Sequence, residues 1–81
     1  MSYETTKVIA HGPYWRITEL NGVRMVEVRQ ECDEHHSTVA TRARRLIETH
    51  APTYALGPYV EMTYVRDRHG YHQSRRVYRM V

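Results

Sequence analysis

Apolar and polar residues alternate along two stretches, Tyr14-Trp15-Arg16-Ile17-Thr18-Glu19-Leu20 and Val23-Arg24-Met25-Val26-Glu27-Val28-Arg29, separated by Asn21-Gly22. Alternation of period two puts successive side chains on opposite faces of a strand. Asn-Gly supplies the positive φ that a type I′ turn needs at both central positions, and that turn's twist matches the strands it joins. The two-residue loop fixes the register. Leu20 then faces Val23, Glu19 faces Arg24, Thr18 faces Met25, Ile17 faces Val26, Arg16 faces Glu27, Trp15 faces Val28 and Tyr14 faces Arg29. Two opposite-charge pairs, an aromatic–aliphatic pair and a cation–π pair fall into place together, and a slip of one residue loses them all. The predicted core face is Trp15, Ile17, Val26 and Val28.

Upstream, Lys7-Val8-Ile9-Ala10 reads as a short strand ended by Gly12-Pro13. It is either a separate strand or the start of the Tyr14 strand, since proline marks a break, bulge or edge. Downstream the period changes. Val39, Ala43, Leu46, Ile47 and His50 form one stripe at helical spacing, predicting a helix over 38–50. Ser37 is the predicted N-cap, with Ala40 where a capping box would have Glu or Gln. Ala51-Pro52 ends the helix, because a residue before proline is pushed out of the α region. Tyr59 to Arg66 and Arg75 to Val81 read as two further strands. The span between them is a loop, in which His69-Gly70 could close a tight turn.

The sum is an α+β fold: a two-layer, antiparallel β-sheet made of two hairpins in ββαββ order, with one α-helix on one face. The predicted core is Trp15, Ile17, Val26, Val28, Val39, Ala43, Leu46, Ile47, Val60 and Met62. Leu20, Val23 and Met25 lie on the hairpin's other face, which a single helix cannot also cover; a loop or a homodimer contact would use that surface.

At 81 residues the chain is one small domain, 1–81, too small for a nucleotide-binding α/β enzyme. No apolar run approaches the roughly 18 residues of a membrane span, so no membrane partner is expected. Met1-Ser2-Tyr3-Glu4 lacks a signal-peptide pattern, and the single cysteine excludes an internal disulfide, pointing to the cytoplasm. Charge matters through its position. The twelve basic residues are eleven Arg and Lys7, and residues 66–81 hold five arginines against Asp67 alone, whereas 1–65 hold seven bases and eight acids. A GC-rich coding sequence gives such an Arg bias without selection; Arg is also the residue that pairs bidentately with carboxylate or phosphate.

The basic segment is the better functional lead. Arg66, Arg68, Arg75, Arg76 and Arg79 interleave with Tyr64, Tyr71 and Tyr78, giving cationic and stacking groups on one hairpin, and Arg42 and Arg45 on the helix could add to them. The alternative is a solvated edge strand whose charges prevent edge-to-edge aggregation. Cys32 and His35, with His69 and His72, have a spacing that could ligate zinc, but one cysteine with three histidines is an unusual set, and no metal or other cofactor is the first reading. Cys32 beside His35 or His36 has no orienting third group, so a buried, inert thiol is the expectation and an enzyme is not.

The stretch Gly12-Pro13-Tyr14-Trp15-Arg16-Ile17, leading to Thr38-Val39-Ala40-Thr41-Arg42-Ala43-Arg44-Arg45-Leu46-Ile47, resembles short proteins of actinobacteria and their phages that share a HicB-like sheet-plus-helix unit. The resemblance covers residues 7–50. It departs where Gln30-Glu31-Cys32-Asp33-Glu34-His35-His36 replaces the usual short third strand, and the C-terminal Arg hairpin has no counterpart. It carries over no functional residue and implies a compact accessory or regulatory protein, phage-encoded and acting in the host cytoplasm. The expected function is a non-enzymatic protein that uses its Arg/Tyr hairpin to bind an acidic protein partner, as an inhibitor of a host factor would. The alternatives are a DNA- or RNA-binding module using the same hairpin, and a small zinc-binding protein.

Overall fold

A computed structural model of the chain describes residues 5–66 and 68–81; Asp67 and the Met1–Glu4 segment discussed above lie outside the described residues. The elements are β1 (Lys7–Gly12), β2 (Trp15–Leu20), β3 (Val23–Arg29), α1 (His36–His50), β4 (Leu56–Arg66) and β5 (His72–Met80). The strands form one antiparallel sheet in the order β1-β2-β3-β5-β4, with the helix against one face. This is the α+β, sheet-plus-helix architecture expected. The open question upstream resolves as a separate strand, so three strands, not two, precede the helix.

The β2–β3 hairpin has the register that its turn dictates, from Leu20↔Val23 out to Trp15↔Val28. Asn21 and Gly22 take φ of 52° and 77°. Beyond the paired residues, the Arg29 N–H donates to the Tyr14 carbonyl at 2.9 Å. β1 pairs with β2 and slips register between Val8 and Ala10. Gly12 is needed where β1 turns into β2: a Cβ there would lie 2.2 Å from Trp15 Nε1.

The helix begins two residues before the apolar stripe suggests. Its N-cap is His35, not Ser37: the ring Nδ1 accepts from the Ser37 N–H at 3.2 Å. A neutral imidazole offers the same lone pair as the oxygens usually found there. Val39, Ala43 and Ile47 are buried against Ile17, Val26, Val28, Tyr78 and Met80, while Trp15 and Leu46 sit at the margin of this core.

Two expectations fail in the second half. Val60 is 45% exposed rather than in the core. Tyr59 pairs with Tyr78 and Glu61 pairs with Val77, so Val60 is the extra residue of a β-bulge. Met62, its predicted core neighbour, is half-buried opposite Arg76. Both strands also begin earlier than their patterns indicate, and the earlier start of β5 takes residues 72–74 out of the expected loop.

The decisive feature is where β5 lies. β3 and β4 run parallel with β5 between them, which no tight turn can achieve, and α1 makes the crossover as in a split β-α-β unit. β5 is therefore an interior strand, hydrogen-bonded on both sides. Its arginines cannot be the protective charges of an edge.

Candidate functional site

Strand alternation divides the arginines of β5 between the two faces. Arg76 is on the helix side: its guanidinium lies 4.1 Å over the Tyr59 ring and 5.7 Å from that of Tyr78, and its Nε donates to the Tyr78 hydroxyl at 2.9 Å. Tyr78 is a core residue, 5% exposed. These two residues bind the sheet together and do not project from it. Arg75 and Arg79 belong to the opposite face, with Arg79 exposed and paired with Met25. Tyr71 is at the hairpin tip, 73% exposed. Arg45 stands exposed on the helix, and Arg42 is engaged by Glu34 and by the Arg29 carbonyl at 2.8 Å. The residues predicted as one docking surface are thus not one surface.

What does converge is a cleft of about 560 Å³ at the end of the sheet, with Arg29, Arg66, Arg68, Arg75 and His69 on its walls beside Pro13, Tyr14, Val65 and Gln73. No carboxylate is among the described residues that line it. Three of its arginines were predicted for the site. Arg29 was legible only as the partner of Tyr14, and it enters because the crossover makes it the direct cross-strand partner of Arg75. Like charges in that position repel.

The two guanidinium groups are held differently. Arg29 lies 4.9 Å over the Tyr14 ring, with Nη2 3.1 Å from a Glu31 carboxylate oxygen. Arg75 is 9% exposed, its Nε donates to Gln73 Oε1 at 2.8 Å, and it forms no ion pair among the described residues. Burial lowers its pKa from the ordinary guanidinium value; the charge of Glu27 opposes that shift and the charge of Arg16 adds to it. Glu27, itself buried, is committed elsewhere. Arg16 grips it, holding the Arg16 pKa above its usual value, and Thr63 Oγ1 donates to it at 3.4 Å.

A second pocket adjoins the first and shares Tyr14 and Arg29 with it, but Glu31, Glu34 and Arg42 give it mixed charge. The Glu34 carboxyl is held below the ordinary carboxylate range by Arg42, and by the Glu31 N–H, which donates to it at 2.9 Å. On the open face of the sheet, Leu20, Val23, Met25 and Val77 line another groove with Arg16, Glu27 and Glu61, which is the apolar surface left uncovered by the helix.

Cys32 is exposed rather than buried, since it falls in the turn before the helix and not under the sheet. The zinc alternative does not assemble: among the described residues no three His, Cys, Asp or Glu side chains gather at a metal position, and His35 is occupied as the helix cap. Among the described residues no helix is long and apolar enough to cross a membrane. Comparison of the chain with protein-family models, with curated proteins and with solved structures finds no match.

Proposed function

We propose that this is a non-enzymatic binding protein whose cationic cleft takes an acidic segment of a partner protein. The observation that carries this reading is the convergence of Arg29, Arg66, Arg68 and Arg75 on one cleft whose described lining contains no carboxylate. Of these, Arg29 alone has a carboxylate partner among the described residues, Glu31, and arginines gathered in such excess favour an anionic ligand whose carboxylates suit their planar forks. A protein segment is favoured over nucleic acid by what surrounds the cleft. The neighbouring pocket bears Glu31 and Glu34, which a polyphosphate would meet on leaving the cleft, whereas a protein surface carries both signs. The other arginines form no continuous track: Arg16, Arg24 and Arg42 are paired with Glu27, Glu19 and Glu34. An exposed free thiol at Cys32 fits a reducing compartment such as the cytoplasm. The resemblance noted above adds a setting, a phage-encoded accessory protein acting on a host factor.

The test is the double substitution Arg66→Glu with Arg68→Glu, both exposed at the hairpin end. Binding to an acetylated hexaglutamate peptide should fall about tenfold or more, with the melting temperature unchanged. Preferential binding of a single-stranded oligonucleotide, with affinity falling steeply as salt rises, would replace this reading by the nucleic-acid one.

A further inference from the structure

We infer that Arg75 forms the floor of a seat for one carboxylate, into which the bound acidic segment places a Glu or Asp side chain. The inference deepens the reading of the cleft given above and rests on it.

Arg75 stands where a sheet would not ordinarily place a charge. It lies on an interior strand, the residue is 9% exposed, and a cross-strand partner is another arginine. Burying a charge without a partner is costly, and a like charge opposite adds to the cost. No residue described in the fold offsets this in full. Glu27, the acid whose field reaches Arg75, is already held by Arg16 and Thr63. The one hydrogen bond made by the Arg75 side chain among the described residues runs from Nε to Gln73 Oε1. That bond engages Nε and leaves the terminal nitrogens of Arg75, a residue of the cleft wall, without a hydrogen-bond partner among the described residues. With its oxygen so occupied, the Gln73 amide has its N–H groups left to donate in the same cleft. A planar fork with parallel donors matches a carboxylate. Pro13 and Val65, on the same walls, give the methylenes of a glutamate side chain apolar contact that inorganic phosphate could not use.

A charge kept for binding rather than for folding makes a specific prediction: replacing it by an apolar side chain of similar reach should harm the site and spare the fold. Wild type and Arg75→Met are compared by thermal melting and by titration with hexaglutamate, with hexaglutamine as control and inorganic phosphate added at matched ionic strength. Arg75→Met should melt at or above the wild-type temperature and bind hexaglutamate about tenfold to a hundredfold more weakly, the loss of a hydrogen-bonded charge pair. In the wild type, the Arg75 Nε–Hε resonance should shift saturably with hexaglutamate and stay fixed with hexaglutamine.

Full affinity in Arg75→Met, an unmoved resonance, or a lowered melting temperature with binding retained overturns the seat while leaving the cleft reading in place. Displacement of the peptide by phosphate at equal ionic strength overturns the assignment to carboxylate. Wild type that binds no hexaglutamate overturns the cleft reading, and the seat falls with it.

Discussion

The β2–β3 hairpin and strand β5 are built from the same vocabulary of arginines, aromatics and β-branched residues, yet they treat charge in opposite ways. In the hairpin, Arg16 is answered by Glu27 and Arg24 by Glu19, and Arg24 also lies 4.7 Å over the Tyr54 ring. On β5, Arg75, Arg76 and Arg79 have no carboxylate partner among the described residues; Arg76 settles on two tyrosines and Arg75 is buried beside Gln73. A hairpin closes its own register, so complementary charges can be arranged within a few residues of its turn. A strand inserted between two others meets neighbours from distant parts of the chain, and no short stretch of sequence arranges carboxylates opposite its arginines.

The largest test of this division concerns stability. Ile17 is fully buried in the hairpin, and Ile17→Ala should cost about 2–5 kcal/mol in urea unfolding, a large share of what a domain this small possesses. The Arg66/Arg68 reversal at the other end of the sheet should leave the same unfolding curve in place. A melting temperature as sensitive to those arginines as to Ile17 would erase the distinction between a folding half and the proposed binding half.

Smaller effects sharpen it. Glu27→Gln should cost about 1–3 kcal/mol, because Glu27 is buried and its loss leaves Arg16 half-answered and removes an opposing charge felt by Arg75. Glu19→Gln should cost under about 1 kcal/mol, since the Glu19–Arg24 pair is more open to solvent, with its atoms 3.4 Å apart. Equal losses would show that burial does not separate the two pairs.

The smallest effect is one of pH. The Glu34 carboxyl titrates below the ordinary value of 4.5 when folded, so the unfolded chain takes up its proton more readily. Its contribution to stability is present in full above that value and is lost as the pH falls through the folded one. Melting temperature against pH should therefore fall less steeply on the acid side in Glu34→Gln than in wild type.

Much of the fold could be read in advance, and the site could be read only in part. Asn21-Gly22 alone sets the six cross-strand pairs of β2 and β3, and the Val39–Ala43–Ile47 stripe with Pro52 after it marks the helix to within two residues of its start. Arg66, Arg68 and Arg75 stood out as excess charge. Their grouping with Arg29, and their separation from Arg76 and Tyr78, did not, because alternation says which side chains share a face of one strand and not which face the helix will cover.

The amino-acid order by itself determined the elements whose signals are local: a turn that demands positive φ, a stripe at helical spacing, a proline that stops it. The tertiary structure decided the rest. It placed β5 between β3 and β4, set Arg75 against Arg29, extruded Val60 in a bulge and left Cys32 in solvent. Pairing between distant strands is chosen by the packing of the whole sheet against its helix, where many residues share the outcome and no short stretch of sequence carries it.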